Sequence, residues 1–176
     1  MTQTLPRLAA LAVGFSILSA PAMAAAPEPK KPVSPSFYSG VWHEIARMPN
    51  AIQKNCEAPT NRFTAGAKGS YSMVQTCRQG SPDGPAKTYS SKGSIVPGSN
   101  NAKFKMSFLG GLKTQEYWVV DRGDANDWAV MATPGGNYLW LMSRSPDMSL
   151  ATRNSIVARL KAMGFNTAKL VFPKQR

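Results

Sequence analysis

Clusters rich in glycine, proline, asparagine and aspartate punctuate this chain at 66–69, 80–85, 97–101, 110–111, 122–127 and 134–137. Turn signals spaced by roughly 10 to 16 residues leave too little room for helices and suit antiparallel strands joined by short turns. Eight strand-like runs lie around them, at 41–47, 57–64, 70–78, 87–95, 102–108, 115–121, 128–133 and 138–143. One later segment has a different period. Ser149 is placed to cap a helix whose Leu150, Ile156, Val157 and Leu160 form an apolar stripe. Arg159 and Lys161 suit the negative end of its dipole, and Gly164 can take the left-handed position just past it. A short final strand at 169–172 precedes Pro173. The pattern fits an eight-stranded antiparallel up-and-down β-barrel with one C-terminal helix packed outside. Alternation alone does not exclude an open sandwich.

The first 24 residues stand apart from this pattern. Arg7 precedes an apolar run at 8–20, and Ala22-Met23-Ala24 puts small residues before a cleavage point. This is the layout of a secretory signal peptide, with an apolar run short for a membrane span. No cysteine lies near the cut, so a lipid-anchored N-terminal cysteine is not expected. Residues 25–35, AAPEPKKPVSP, read as a flexible, proline-rich leader, and 36–176 as the folded domain. The expected location is periplasmic or secreted, in soluble form.

That location shapes the remaining composition. The chain carries 21 Lys and Arg against 9 Asp and Glu, a formal net charge of +12. The basic residues are scattered, so nucleic acid is not an expected partner; a solvated surface or contact with an anionic membrane is. The two cysteines, Cys56 and Cys77, are expected to form a disulfide in an oxidising compartment. A direct cross-strand register would pair Arg62 with Tyr71 and leave 65–68 as the turn. With a single histidine, His43, no metal site is expected, and no cofactor motif is present.

At Gly40-Val41-Trp42-His43-Glu44-Ile45-Ala46-Arg47 the reading becomes specific. This segment resembles the lipocalin opening motif G-x-W, in the form seen in the bacterial lipocalin and apolipoprotein D-like branch. Tyr138-Leu139-Trp140-Leu141-Met142-Ser143-Arg144 is similar to the family's closing motif, a strand ended by arginine. The middle motif is matched only in part, by Asp121 after Tyr117-Trp118-Val119-Val120. The resemblance spans about 37–173. It implies a calyx in which Trp42 and Arg144 stack at the closed end and are structural, as are Gly40 and Asp121. It also implies a cavity for a small hydrophobic ligand such as a fatty acid or lysophospholipid.

Strand alternation then nominates a lining. Parity with Trp42 selects Glu44 and Ala46. Parity with Arg144 selects Tyr138, Trp140 and Met142. Phe104, Met106 and Phe108 alternate with polar neighbours, Tyr71, Met73 and Gln75 lie on the third strand, and Tyr117 and Val119 follow the family match. Phe108, Leu109 and Leu112 are expected to form apolar lips. Glu44 is expected to bond Tyr117 or backbone, or to meet a ligand's polar end. Lys54, Arg78 and Lys113 are placed to meet a charged head or to stand solvated at the rim. Two other functions fit the same fold. A protein-interaction module or inhibitor would act through the mouth loops. An enzyme would need a nucleophile and base, and none is visible: both cysteines are expected to be oxidised and His43 to face outward.

Overall fold

A computed structural model describes residues 25–176. The expected signal segment, 1–24, and the side chain of Leu109 lie outside the described residues. Eight antiparallel strands form a closed barrel in simple sequence order. They are β1 Gly40–Arg47, β2 Cys56–Ala65, β3 Ser70–Gln79, β4 Ala86–Ile95, β5 Lys103–Phe108, β6 Lys113–Arg122, β7 Trp128–Ala132 and β8 Leu139–Ser143. β8 closes on β1, pairing Glu44 with Met142 and Arg47 with Trp140. The sandwich alternative is thereby excluded. β4 meets β5 only over Lys92–Ile95, because β5 is the shorter strand.

The helix α1, Leu150–Ala162, starts where Ser149 accepts a hydrogen bond from the Thr152 N–H at 3.1 Å. It ends in a left-handed Gly164 (φ +90°), with Gly164 N–H donating to Lys161 O and Phe165 N–H to Leu160 O. Those two bonds satisfy carbonyls that the helix end leaves open. Ile156 and Leu160 are buried with Val130, Leu139 and Leu141, so α1 covers the outer face of β1, β7 and β8. Leu150 stays outside that contact, 64 % exposed. The expected last strand reduces to one bridge: Val171 exchanges two backbone hydrogen bonds with Arg47.

The cysteines form the expected disulfide, with Cα atoms 5.1 Å apart, but the register differs. Arg62 pairs with Val74 and Ala65 with Tyr71, while Cys56 faces Gln79. The turn falls at 66–69, where Lys68 and Gly69 take positive φ, and an irregularity between Glu57 and Thr60 shifts the rest. The bridge is therefore diagonal rather than directly cross-strand.

Residues 25–35 are extended and packed rather than free. Ala26 N–H donates to Pro134 O at the mouth, and Val33 N–H to Asn100 O at the opposite end. Both side chains are buried. Between them Lys103 binds Glu28 at 2.7 Å and Lys31 approaches Asp121 at 3.9 Å. Alanine and valine give this strap apolar grips that its prolines alone would not.

Candidate ligand cavity

The barrel interior has two tiers. The lower tier is closed. Trp42 is buried, its Nε1 donates to Tyr38 O at 3.1 Å, and the Arg144 guanidinium lies 3.6 Å from its ring centroid. Arg144 also donates to Phe37 O (2.6 Å), Ser39 O (2.9 Å) and Val41 O (3.0 Å). A guanidinium on an indole face with its N–H groups satisfied is a favourable way to bury charge. Gly40 belongs here because its φ of +90° is a backbone conformation that favours glycine. Above the pair, Tyr38, Phe63, Tyr71 and Phe104 make edge and tilted contacts at centroid separations of 4.9–6.3 Å. Gly93 makes room for Phe104, since a Cβ there would collide with its ring. Tyr71 donates its hydroxyl to Pro35 O, which ties the strap to this floor.

The upper tier encloses a cavity of about 120 Å³. Met73, Met106, Phe108, Tyr117, Trp140 and Met142 line it, as expected from alternation, together with Glu44. Tyr117 and Trp140 rings lie 5.5 Å apart. Five nominated residues are elsewhere. Tyr71, Phe104 and Val119 point inward but are packed into the floor. Tyr138 precedes β8 and is 42 % exposed. Ala46 faces the helix: the β1–β8 register shifts between Glu44 and Ala46, so Ala46 pairs with outward Leu141. One extra residue, Ile45, reverses the parity of everything after it.

Of the polar wall around Glu44, the lining nominated by strand alternation includes Gln75 but not Asn61 or Gln53. Glu44 is fully buried, and it accepts from Gln53 Nε2 (2.5 Å), Asn61 Nδ2 (2.7 Å) and Gln75 Nε2 (2.8 Å) rather than from Tyr117 or backbone. Asn61 sits two residues from inward Phe63, so the period of β2 could have found it. Gln53 comes from the 48–55 loop, where no period exists to read. Its Oε1 accepts from Trp140 Nε1 (3.0 Å) and Asn50 Nδ2 (2.7 Å), which draws the loop across the mouth. Burial, and then the Glu44 charge, push the Tyr117 hydroxyl up to about 12. Burial, and then Tyr71, raise that of Tyr38 further. Unfolding releases both to the ordinary tyrosine value near 10. The unfolded chain then binds fewer protons than the native one, so stability is intact below pH ~10 and falls as pH rises toward 12. Thermal melts between pH 9 and 11 are expected to show this fall, reduced in Tyr117→Phe.

The middle-motif residue Asp121 lies outside the barrel, 3.0 Å from Arg159 on α1. It clamps helix to sheet, while Trp42, Arg144 and Gly40 hold the floor. With opening and closing motifs meeting in one stacked pair, the comparison with known proteins decides the family. A lipocalin-like domain model matches residues 34–175. The chain belongs to the lipocalin-like family. It is 28 % identical to outer membrane lipoprotein Blc of Vibrio cholerae over 154 residues, covering 85 % of this chain and 89 % of the relative. It is 25 % identical to Blc of Escherichia coli K12 over 139 residues, with 78 % and 77 % covered. Temperature-induced lipocalin-1 of Arabidopsis thaliana is 26 % identical over 140 residues, with 76 % and 74 % covered. Among solved structures, insecticyanin of the tobacco hornworm shares the fold at TM-score 0.67 and 18 % identity, covering 85 % and 84 %. Lobster apocrustacyanin A1 does so at 0.62 and 16 %, covering 80 % and 79 %. The bacterial-branch reading of G-x-W-x-E-I-A-R agrees with the Blc relatives.

Proposed function

We propose that this lipocalin is an exported carrier. It holds a fatty acid, lysophospholipid or similar small hydrophobic ligand for transport, storage or envelope maintenance, and performs no chemistry on it. The observation that carries this reading is the upper tier, where methionine and aromatic side chains face a cavity reached beneath the 48–55 loop. Methionine adapts to irregular chains, and aromatic walls add contact area at low entropic cost. The buried Cys56–Cys77 bridge suits an oxidising compartment and so supports export. The rim supports an anionic membrane surface as partner: Ile52 is 62 % and Leu112 91 % exposed, beside exposed Lys54 and Lys113. Apolar tips flanked by lysines favour shallow contact with such a surface.

Native mass spectrometry of the protein from its host, followed by organic extraction, tests the proposal. A stoichiometric single-chain lipid is expected. Trp140→Ala, which removes one wall without touching the floor, is expected to weaken uptake about tenfold, near 1.4 kcal/mol. Protein that carries no lipid and takes up none on titration would overturn the carrier reading and favour an interaction role for the loops.

A further inference from the structure

The 48–55 loop over the mouth is fastened along its length. Gln53 N–H donates to Asn50 Oδ1 (2.9 Å), and Gln53 O accepts from Cys56 N–H (3.3 Å) and Arg47 Nη2 (2.9 Å). Its side-chain amide bonds Glu44 and Trp140. Asn55 O accepts from Gly80 N–H (2.9 Å), and the Cys56–Cys77 bridge follows at once. Lifting this loop would leave the buried Glu44 carboxylate and Arg47 guanidinium short of partners together, which is costly. A ligand that entered by displacing it would meet that cost each time.

The wall between β4 and β5 carries no such fastening. The two strands pair from Ile95 with Phe104 to Lys92 with Ser107, and no further. Toward the mouth β4 continues over 86–91 with no strand on that side. The Leu109–Gly111 turn does not close the space, because it sits against β5 and β6. Side-chain exposure marks the opening. Lys87, Tyr89 and Ser91 pair with Cys77, Gln75 and Met73 and so face the barrel interior. Yet Lys87 is exposed and Tyr89 half-buried, while Ser91 is buried. The wall is shut at Ser91 and open from Tyr89 toward the mouth.

The cavity reaches solvent at the same place. Phe108 ends β5, lines the cavity and is only half-buried. One further step of the ladder would set it opposite Ser91. Ile52 also lines the cavity, though 62 % exposed, and its carbonyl accepts from the Tyr89 hydroxyl at 3.3 Å. Behind Phe108 the turn carries Gly110 and Gly111, both at positive φ. A Cβ at Gly110 would meet nothing within 4 Å, so the turn stands clear of the barrel. Segments with so few neighbours open at low cost.

Resting on the carrier reading, we propose that ligand enters and leaves through the side of the barrel, between the free end of β4 and the β5–β6 turn, with Phe108 as the gate and the 48–55 loop as a fixed cap. Swinging one ring aside, with a small shift of a glycine turn, opens this path. No buried polar group loses a partner, and the apolar Phe108 and Ile52 that border the path suit a hydrocarbon chain.

Stopped-flow mixing of the whole protein with the uncharged probe N-phenyl-1-naphthylamine tests this. A gate changes association and dissociation rates by one factor and leaves Kd unaltered, whereas a lost wall contact raises the dissociation rate alone. Ser90→Cys with Leu112→Cys places exposed thiols on the two sides of the opening. Joining them with a short bismaleimide is expected to slow both rates about tenfold. Phe108→Ala is expected to speed association severalfold. The Cys56→Ala, Cys77→Ala variant, which loosens the cap, is expected to leave association unchanged. If the bridged protein exchanges probe as fast as the unbridged one, or if loosening the cap speeds association more than Phe108→Ala does, the side entrance is wrong and the carrier reading stands. If neither the probe nor dodecanoate binds the wild-type protein, the carrier reading itself fails.

Discussion

Replacing Trp42 with alanine is expected to cost about 3–5 kcal/mol of folding stability, the range for removing a large aromatic from a packed interior. The position is 3 % exposed and touches three kinds of support at once. Its ring carries the Arg144 guanidinium and meets Phe37, and its Nε1 satisfies Tyr38 O. Alanine would open a hole beneath a charge that is otherwise shielded from water. Arg144 would keep its three carbonyl acceptors, so it could not easily move to fill the space. For a domain of this size each kcal/mol lowers Tm by roughly 2–4 °C, so a drop of about 10 °C is expected in a thermal scan. Trp42→Phe should recover part of it by keeping a ring under the cation. A loss below about 1 kcal/mol in the alanine variant would mean that the floor does not depend on this stack.

Loss of the Cys56–Cys77 bridge is the second large expected effect. The bridge closes a loop of 21 residues, which in the chain-entropy account restricts the unfolded state by about 3 kcal/mol. A Cys56→Ala, Cys77→Ala double variant should therefore unfold at clearly lower urea, with a somewhat steeper slope because its unfolded chain exposes more surface. Both sulfurs are buried, so alanine leaves small cavities rather than stranded hydroxyls. The bridge ties the mouth end of β2 to β3, next to the loop that carries Gln53. The variant should accordingly lose protection from hydrogen exchange first in residues 48–58. Equal urea midpoints for the variant and the wild type would show that the bridge adds nothing to stability.

Much of this molecule was legible before its structure. Turn spacing gave eight strands in the right order, and the caps of α1 followed from Ser149 and Gly164. The floor came from two motifs far apart in the chain. What escaped was whatever breaks a period or has none. Alternation says which way a side chain points, not how high it sits. Phe104 and Tyr71 therefore looked like ligand wall and are floor. The Ile45 bulge turned Ala46 outward and Arg47 inward, and nothing in the apolar pattern of β1 marks an extra residue there. The polar wall depends on a loop, and its key residue, Gln53, is a common surface type with no neighbouring signal. The strap along 25–35 looked like a linker because its prolines outweighed two small apolar residues.

The unequal lengths of β4 and β5 have a consequence for how copies of this protein meet. Around the rest of the barrel the ladder runs strand to strand, though β1 also meets β2 only over Gly40–His43. Beyond Lys92, toward the mouth, β4 continues through 86–91 without β5 beside it. That stretch is the place where a foreign extended segment could add to the sheet, and exposed Lys87 at its start works against such growth. Removing that charge, as in Lys87→Val, would be the most direct way to make the barrel self-associate edge to edge.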